Sequence, residues 1–325
     1  MTLRLTVAHE AWRAHLAAVR DEVHGLVPVV KGNGYGLGRS RLADTASTFA
    51  AAVAVGTVHE LHDVDAERFD EVLVLTPVLQ LPACLAAGLP ANTVPTVGNQ
   101  AHVDALVAAG WRGAVNVKIA SAMHRYGVEP GDLAAFVDLV RRAGLEPRRA
   151  LFHPPLVTAQ HTADDVVAAI EAWLTHLDPA LTVSTSHLDP AAFTRLAAAH
   201  PDRRFELRLG TALWHGDKSM LHLDADVLDT HRVAAGTPAG YRGDLVPTDG
   251  TLVMIGAGSA HGVAPLADGR SPFHFARRRL RLHEAPHMHT SMAFVPAGEP
   301  CPAVGDRVDV QRPLITTVVD EVVWA

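Results

Sequence analysis

Across the first two-thirds of the chain, short apolar, β-branched runs alternate with stretches of helical spacing. That rhythm limits the fold more than any other feature. The strand candidates are 26–31, 53–56, 72–76, 93–97, 114–119, 147–152, 181–184 and 205–208. Between them, 39–52, 99–109, 130–143, 162–176 and 190–199 have helical periodicity, and 8–22 leads in with Trp12, Leu16 and Val19. Thr57 followed by Glu60 reads as a capping box for the helix after the second strand. About eight strand–helix alternations predict a (β/α)8 barrel of the TIM type, a fold that takes roughly 250 residues. A doubly wound open sheet is the rival. It needs a G-x-G-x-x-G phosphate loop with an acidic residue downstream, and Gly34, Gly36 and Gly38 lack that spacing.

Near Leu228 the texture changes. Helical spacing stops, and short strand candidates follow at 231–234, 252–255, 279–283, 292–295, 307–310 and 317–324, separated by Pro and Gly clusters. The chain therefore reads as a barrel over 1–228 and a mostly-β domain over 229–325. A net charge of −7 argues against a nucleic-acid or anionic-membrane surface. The one dense basic run, Arg277-Arg278-Arg279-Leu280-Arg281, reads as a solvated strand edge or an interface. Cys84 and Cys301 have no metal-ligand spacing and read as buried free thiols in a reducing compartment. No apolar run is long enough to span a bilayer, and the first residues lack a signal-peptide core, so a cytoplasmic location is expected.

The first barrel strand ends in Lys31, and four glycines and Tyr35 follow at once: Lys31-Gly32-Asn33-Gly34-Tyr35-Gly36-Leu37-Gly38. A lysine in an apolar strand needs a partner or a covalent task. At a strand's C-terminal end it lies at the mouth of the barrel, where active sites form. A desolvated lysine there can form a Schiff base with an aldehyde.

These residues resemble the K-A-N-A-Y-G-H-G motif of the alanine racemase family, whose members bind pyridoxal 5′-phosphate (PLP) on a barrel followed by a β domain. The resemblance implies PLP as cofactor, an amino acid as substrate and a homodimer. By it, Lys31 carries PLP and serves as one base, and Tyr35 bonds the phosphate. Lys118-Ile119-Ala120-Ser121-Ala122-Met123-His124-Arg125 is similar to K-I-D-T-G-M-x-R, which gives Arg125 the cofactor's phenolic oxygen and the substrate carboxylate. The family's lysine at Lys118 is often carbamylated. Its Asp-Thr-Gly step is replaced here. His153 matches the histidine near the cofactor ring, and Thr185-Ser186 the phosphate-binding Asn-Ser, with helix capping as the bland alternative. Leu207-Arg208-Leu209-Gly210-Thr211-Ala212-Leu213-Trp214 resembles R-P-G-I-x-L-Y-G. It sets Arg208 at the ring nitrogen, Gly210 and Thr211 at the phosphate, and Trp214 in place of a tyrosine.

In the β domain, Tyr241 resembles the second base, which reaches the other subunit's cofactor, and Met292 the substrate-lining methionine. Two bases on opposite faces of Cα suit racemisation. The walls depart from the family. Gly256-Ala257-Gly258-Ser259-Ala260-His261-Gly262 lacks its gate tyrosine, and Ser291-Met292-Ala293 its aspartate. A wider or differently lined entrance is expected. These departures also keep open a lyase or decarboxylase on the same fold, or a degenerate PLP-binding protein. His287-Met288-His289 would share one face if extended, but two imidazoles do not make a metal site, and no metal is expected.

Overall fold

The computed structural model describes residues 2–82 and 88–325. Two compact units form: residues 14–34 and 38–214 make one, residues 1–13, 35–37 and 215–325 the other. The chain opens on β1 (Leu3–Val7) and α1 (His9–Glu22). Then come β2 (Leu26–Pro28), α2 (Arg39–Ala46), β3 (Ala52–Val55), β4 (Glu71–Val74), β5 (Thr93–Val94), β6 (Thr96–Val97) and α3 (Gln100–Ala108). The unit is completed by β7 (Ala114–Lys118), α4 (Leu133–Arg142), β8 (Glu146–Leu151), α5 (Ala163–Leu174), β9 (Thr182–Thr185), α6 (Pro190–Ala199), β10 (Phe205–Leu209) and α7 (Thr211–Trp214).

The parallel strands close on themselves. One sheet runs β2-β10-β9-β8-β7-β6 and another β3-β4-β5. They are two arcs of one barrel. Val29 bridges to Ala54, and Val30 N–H donates to Ala54 O at 2.8 Å, joining β2 to β3. On the far side Pro95 alone separates β5 from β6. Proline has no N–H to give the ladder, yet its carbonyl still accepts from Asn116 N–H at 2.8 Å. Counting β5 and β6 as one strand, the barrel has the eight expected. Both faces of its strands are covered, so they read as continuous apolar runs: β7 is buried at all five positions. Val27, Val29, Ala54 and Leu73 pack as one cluster.

A buried ion network fills the barrel's other end. Arg149 on β8 donates twice to Glu206 on β10, Nε to Oε2 at 2.8 Å and Nη2 to Oε1 at 2.9 Å, and also pairs with Glu71 on β4. These strands are not neighbours, so the side chains meet across the interior. Burial alone would raise the Glu71 carboxyl, but the hydrogen bond and charge of Arg149, then those of Arg148, hold it below its ordinary value.

The second unit is built on β11 (Leu221–Val233), which runs through the position where the composition changes. It is followed by β12 (Pro238–Ala239), β13 (Asp244–Leu245), β14 (Gly250–Ile255), β15 (Phe273–Phe275), β16 (Arg278–Arg279), β17 (Arg281–Leu282), β18 (Ser291–Pro296), β19 (Arg307–Val310) and β20 (Glu321–Trp324). The main sheet orders β16-β15-β19-β11-β14-β18-β17, and β1 joins it between β11 and β20. β1 is thus a strand that the sequence reading passed over. The arginine run occupies the two sheet edges, where Arg278 pairs with Glu299 at 3.1 Å. Cys301 is exposed, not buried as expected, and Cys84 lies outside the described residues. No helix among the described residues is long and apolar enough to cross a membrane.

Candidate active site

Parallel closure sets one end of every barrel strand around the same mouth. Lys31 follows β2, Lys118 ends β7, His153 follows β8, Thr185 ends β9, and Arg208 lies one residue before the end of β10. Lys118 is level with Leu151, and Leu151 with Ser184. The strand-end residues of the motif regions are therefore gathered in one barrel unit.

Lys31 reaches solvent, yet protein around it strips much of the amine's hydration, so it lies in a recess. Burial, with the charges of Arg125 and Arg208, pulls its pKa below the ordinary lysine value; only Glu60 opposes. The amine has no hydrogen-bond partner among the described residues. Glu60 does not cap a helix. Its carboxylate accepts Gly56 N–H at 2.6 Å and Gly32 N–H at 3.1 Å, and Thr57 makes no side-chain cap. The residue read as a helix signal instead fixes the peptide after Lys31. A side chain on Gly56 would stand 3.0 Å from Lys31 Cβ, so glycine just after β3 spares the lysine a tight contact.

Arg208 is buried, which lowers its pKa to about 10. Nη1 donates to Ser184 O at 2.9 Å and Ser184 Oγ at 3.2 Å, and Nη2 to Phe152 O at 2.7 Å. That locks the guanidinium and leaves its Nε–H without an acceptor among the described residues. Lys118 is 6% exposed; burial, then Arg208 and Arg125, lower it to about 6. Arg125 is exposed and stacks 4.8 Å over the Tyr126 ring.

Two imidazoles complete the recess. His153 Nδ1 lies 2.6 Å from Ser186 Oγ, and its ring is 4.5 Å from that of His187. His187 was not foreseen. Its Nδ1–H donates to Pro154 O at 2.9 Å, and its backbone is held at φ +65°, a conformation that costs energy and clusters at functional sites. Burial, then Arg208, His187, Lys118 and Lys31, drive His153 far below its ordinary value. Burial likewise lowers His187, against the carbonyls of Pro154 and Pro155. Both rings are neutral at pH 7. A donor-rich, cation-lined recess with one carboxylate beside Lys31 fits an anionic ring compound bearing a phosphate, as PLP is.

Trp214 is fully buried and its indole N–H donates to Val29 O at 2.7 Å, which ties it to the chain just after β2. Thr185 is fully buried too, its hydroxyl directed to Ser186 O at 3.4 Å, which leaves Ser186 as the hydroxyl at the mouth. Gly210 opens the turn into α7, its carbonyl accepting from Leu213 and Trp214, and Thr211 is exposed.

The remaining residues lie in the other unit. Tyr35 is buried at φ +56°, its carbonyl accepting from His215 Nε2–H at 2.6 Å. Met292 pairs with Met254 in the sheet. Tyr241 is 85% exposed. His287 and His289 do not share a strand face, because 283–290 is a loop: His287 packs on Tyr241 and His289 near His261. Where a gate tyrosine was missed, His261 is buried; its Nδ1 accepts Gly258 N–H at 3.1 Å and its Nε2 lies 3.3 Å from Asp320.

A closed α/β barrel that collects cationic side chains around an accessible lysine, joined to a β domain, defines a lysine-centred barrel protein. Comparison with known proteins makes this specific: the family described as "Alanine racemase, N-terminal domain" matches residues 7–218, and the chain belongs to that family. Alanine racemase of Neisseria meningitidis serogroup A is 32% identical over 130 residues, which is 37% of this chain and 36% of that protein. The match thus spans about a third of the length of such curated relatives. Among solved structures, alanine racemase from Bartonella henselae, with covalently bound pyridoxal phosphate, superposes with a TM-score of 0.74 at 19% identity over 100% of both chains. The biosynthetic alanine racemase of Pseudomonas aeruginosa gives 0.71 at 19%, covering 100% of this chain and 99% of that one. At such identity these structures speak for the fold.

Proposed function

We propose that this protein is a PLP-dependent amino-acid racemase that uses Lys31 and Tyr241 as its two acid–base groups. The observation that carries the reading is Lys31 itself: an accessible amine of lowered basicity at the end of the first barrel strand, beside the charges of Arg125 and Arg208. Held on Lys31, PLP would supply the electron sink that acidifies the substrate's Cα–H.

The chain's own residues do the rest. Arg208, locked by three hydrogen bonds, would offer its Nε–H to the ring nitrogen of a bound PLP. An arginine yields no proton there, so it would leave the ring unprotonated and the sink modest, which would favour returning a proton over losing CO2. Ser186, Gly210 and Thr211 would hold the phosphate, and His153 would lie beside the ring. Arg125 would hold the substrate carboxylate. Lys118 is neutral at pH 7 and lies close to two arginines. Its amine adds CO2 and releases a proton, and the resulting carbamate steadies Arg125. Lys31 moves a proton on one face of Cα and Tyr241 of a second copy on the other, so the working form is a homodimer, in the cytoplasm.

The test is incubation of the PLP-loaded protein with L- and D-amino acids of graded size in deuterium oxide. Expected are an absorbance band of the lysine-bound cofactor, deuterium at Cα and loss of optical activity. Release of ammonia or CO2 instead would replace racemisation by lyase or decarboxylase chemistry. Strict preference for alanine would overturn the wider entrance.

A further inference from the structure

Tyr241 is placed on a ribbon of two residue pairs, β12 and β13, which by itself would leave a phenol free to wander. Positional error of that kind is expensive at a proton-transfer step. The structure holds the turn from outside the ribbon. Glu284, its side chain only 6% exposed, accepts Tyr241 N–H with both carboxylate oxygens, at 3.2 and 3.1 Å. Oε1 also lies 2.6 Å from His287 Nε2. The His287 ring in turn packs against the Tyr241 ring, centroids 4.4 Å apart at 49°.

Everything around this group fits a clamp. A Cβ at position 240 would fall 2.2 Å from Glu284 Oε1, so only Gly240, at φ +76°, lets the carboxylate approach. His283 Nε2–H donates to Ala239 O at 3.2 Å. The backbone of His287 is tied on both sides: its N–H donates to Thr290 O at 2.8 Å and its carbonyl accepts Ser259 N–H at 2.7 Å. A buried carboxylate is a costly way to fasten an open turn. Here it fastens the backbone and one face of a single ring, and leaves the phenol free to react.

We infer that Glu284 and His287 form a positioning pair for Tyr241: the carboxylate fixes its main chain and orients the imidazole, and the imidazole sets the direction of the phenol. This rests on the reading of Tyr241 as the second base.

The experiment compares wild type with Tyr241→Phe, His287→Ala, His287→Gln and Glu284→Gln. Exchange of the Cα hydrogen with deuterium oxide is followed separately from each enantiomer. A base that serves one face affects one enantiomer. Tyr241→Phe, His287→Ala and Glu284→Gln are expected to slow exchange from the same enantiomer, by about tenfold to a hundredfold for the last two, and leave the other within about twofold. His287→Gln, which keeps a donor toward Glu284, recovers part of the loss. Fluorine NMR of fluorotyrosine-labelled protein gives a readout without substrate. The Tyr241 resonance, assigned by its absence in Tyr241→Phe, shifts in His287→Ala and Glu284→Gln. Equal slowing of both enantiomers, or an unmoved resonance, would overturn the pair. If Tyr241→Phe spares both enantiomers, the base reading itself fails and the pair's role in catalysis falls with it.

Discussion

Lys118 has a folded pKa of about 6 and an ordinary unfolded one of 10.5. Between these values the unfolded chain binds a proton that the folded chain does not, so Lys118 makes stability rise with pH across that window. Lys118→Met should flatten this rise and increase the melting temperature near pH 7, checked by thermal denaturation from pH 6 to 10. A CO2-dependent carbamate signal in carbon NMR, lost in the same variant, would tie the neutral amine to its proposed chemistry. Glu60 is the one charge that raises Lys31. Glu60→Gln keeps an oxygen for only one of the Gly32 and Gly56 N–H groups and removes the charge, so it should move the Lys31 titration lower, read as the pH midpoint for borohydride-trapped PLP on Lys31 by mass spectrometry; an unmoved midpoint would refute it. Lys31 and Arg208 were legible in the sequence because a charge stands where apolar strands should end. Glu60 was not: at three residues from Thr57 it matched a cap, and only the fold brings the peptide after Lys31 within its reach. His187 gave no signal, since its placement depends on a positive φ that local sequence does not announce.

At the scale of elements, the barrel was written in the periodicity of its strands, even to Pro95, which interrupts one without breaking it. β1 was not, because five alternating residues at the start of a chain carry no mark of partners more than two hundred positions away. The ion network on β4, β8 and β10 was equally hidden: Glu71, Arg149 and Glu206 are far apart in sequence and meet only inside a closed barrel. Arg149→Met strands the inward Glu206 carboxylate, leaves Glu71 with Arg148 alone, and should cost about 3–5 kcal/mol, measured by urea unfolding. Glu71 has its folded pKa lowered, so its contribution is full above pH 4.5 and fades as the pH falls through the folded value. Acid unfolding should therefore begin at higher pH in the variant than in wild type.

For the whole molecule, the proposed dimer makes a quantitative demand. If Lys31 of one copy works with Tyr241 of another, co-expressed Lys31→Ala and Tyr241→Phe chains form mixed dimers with one intact site. Random pairing then restores about a quarter of wild-type activity, and activity that stays absent would overturn the shared site. A different consequence follows from β1, which lies between β11 and β20. The ribosome makes this strand long before its parallel neighbour β20, so the sheet cannot assemble in the order of synthesis, whereas the barrel unit is complete once residue 214 has emerged. Nascent chains stalled near residue 250 should already resist protease over the barrel while β1 is still cut. Protection of β1 should appear only when residues 321–324 are free of the ribosome.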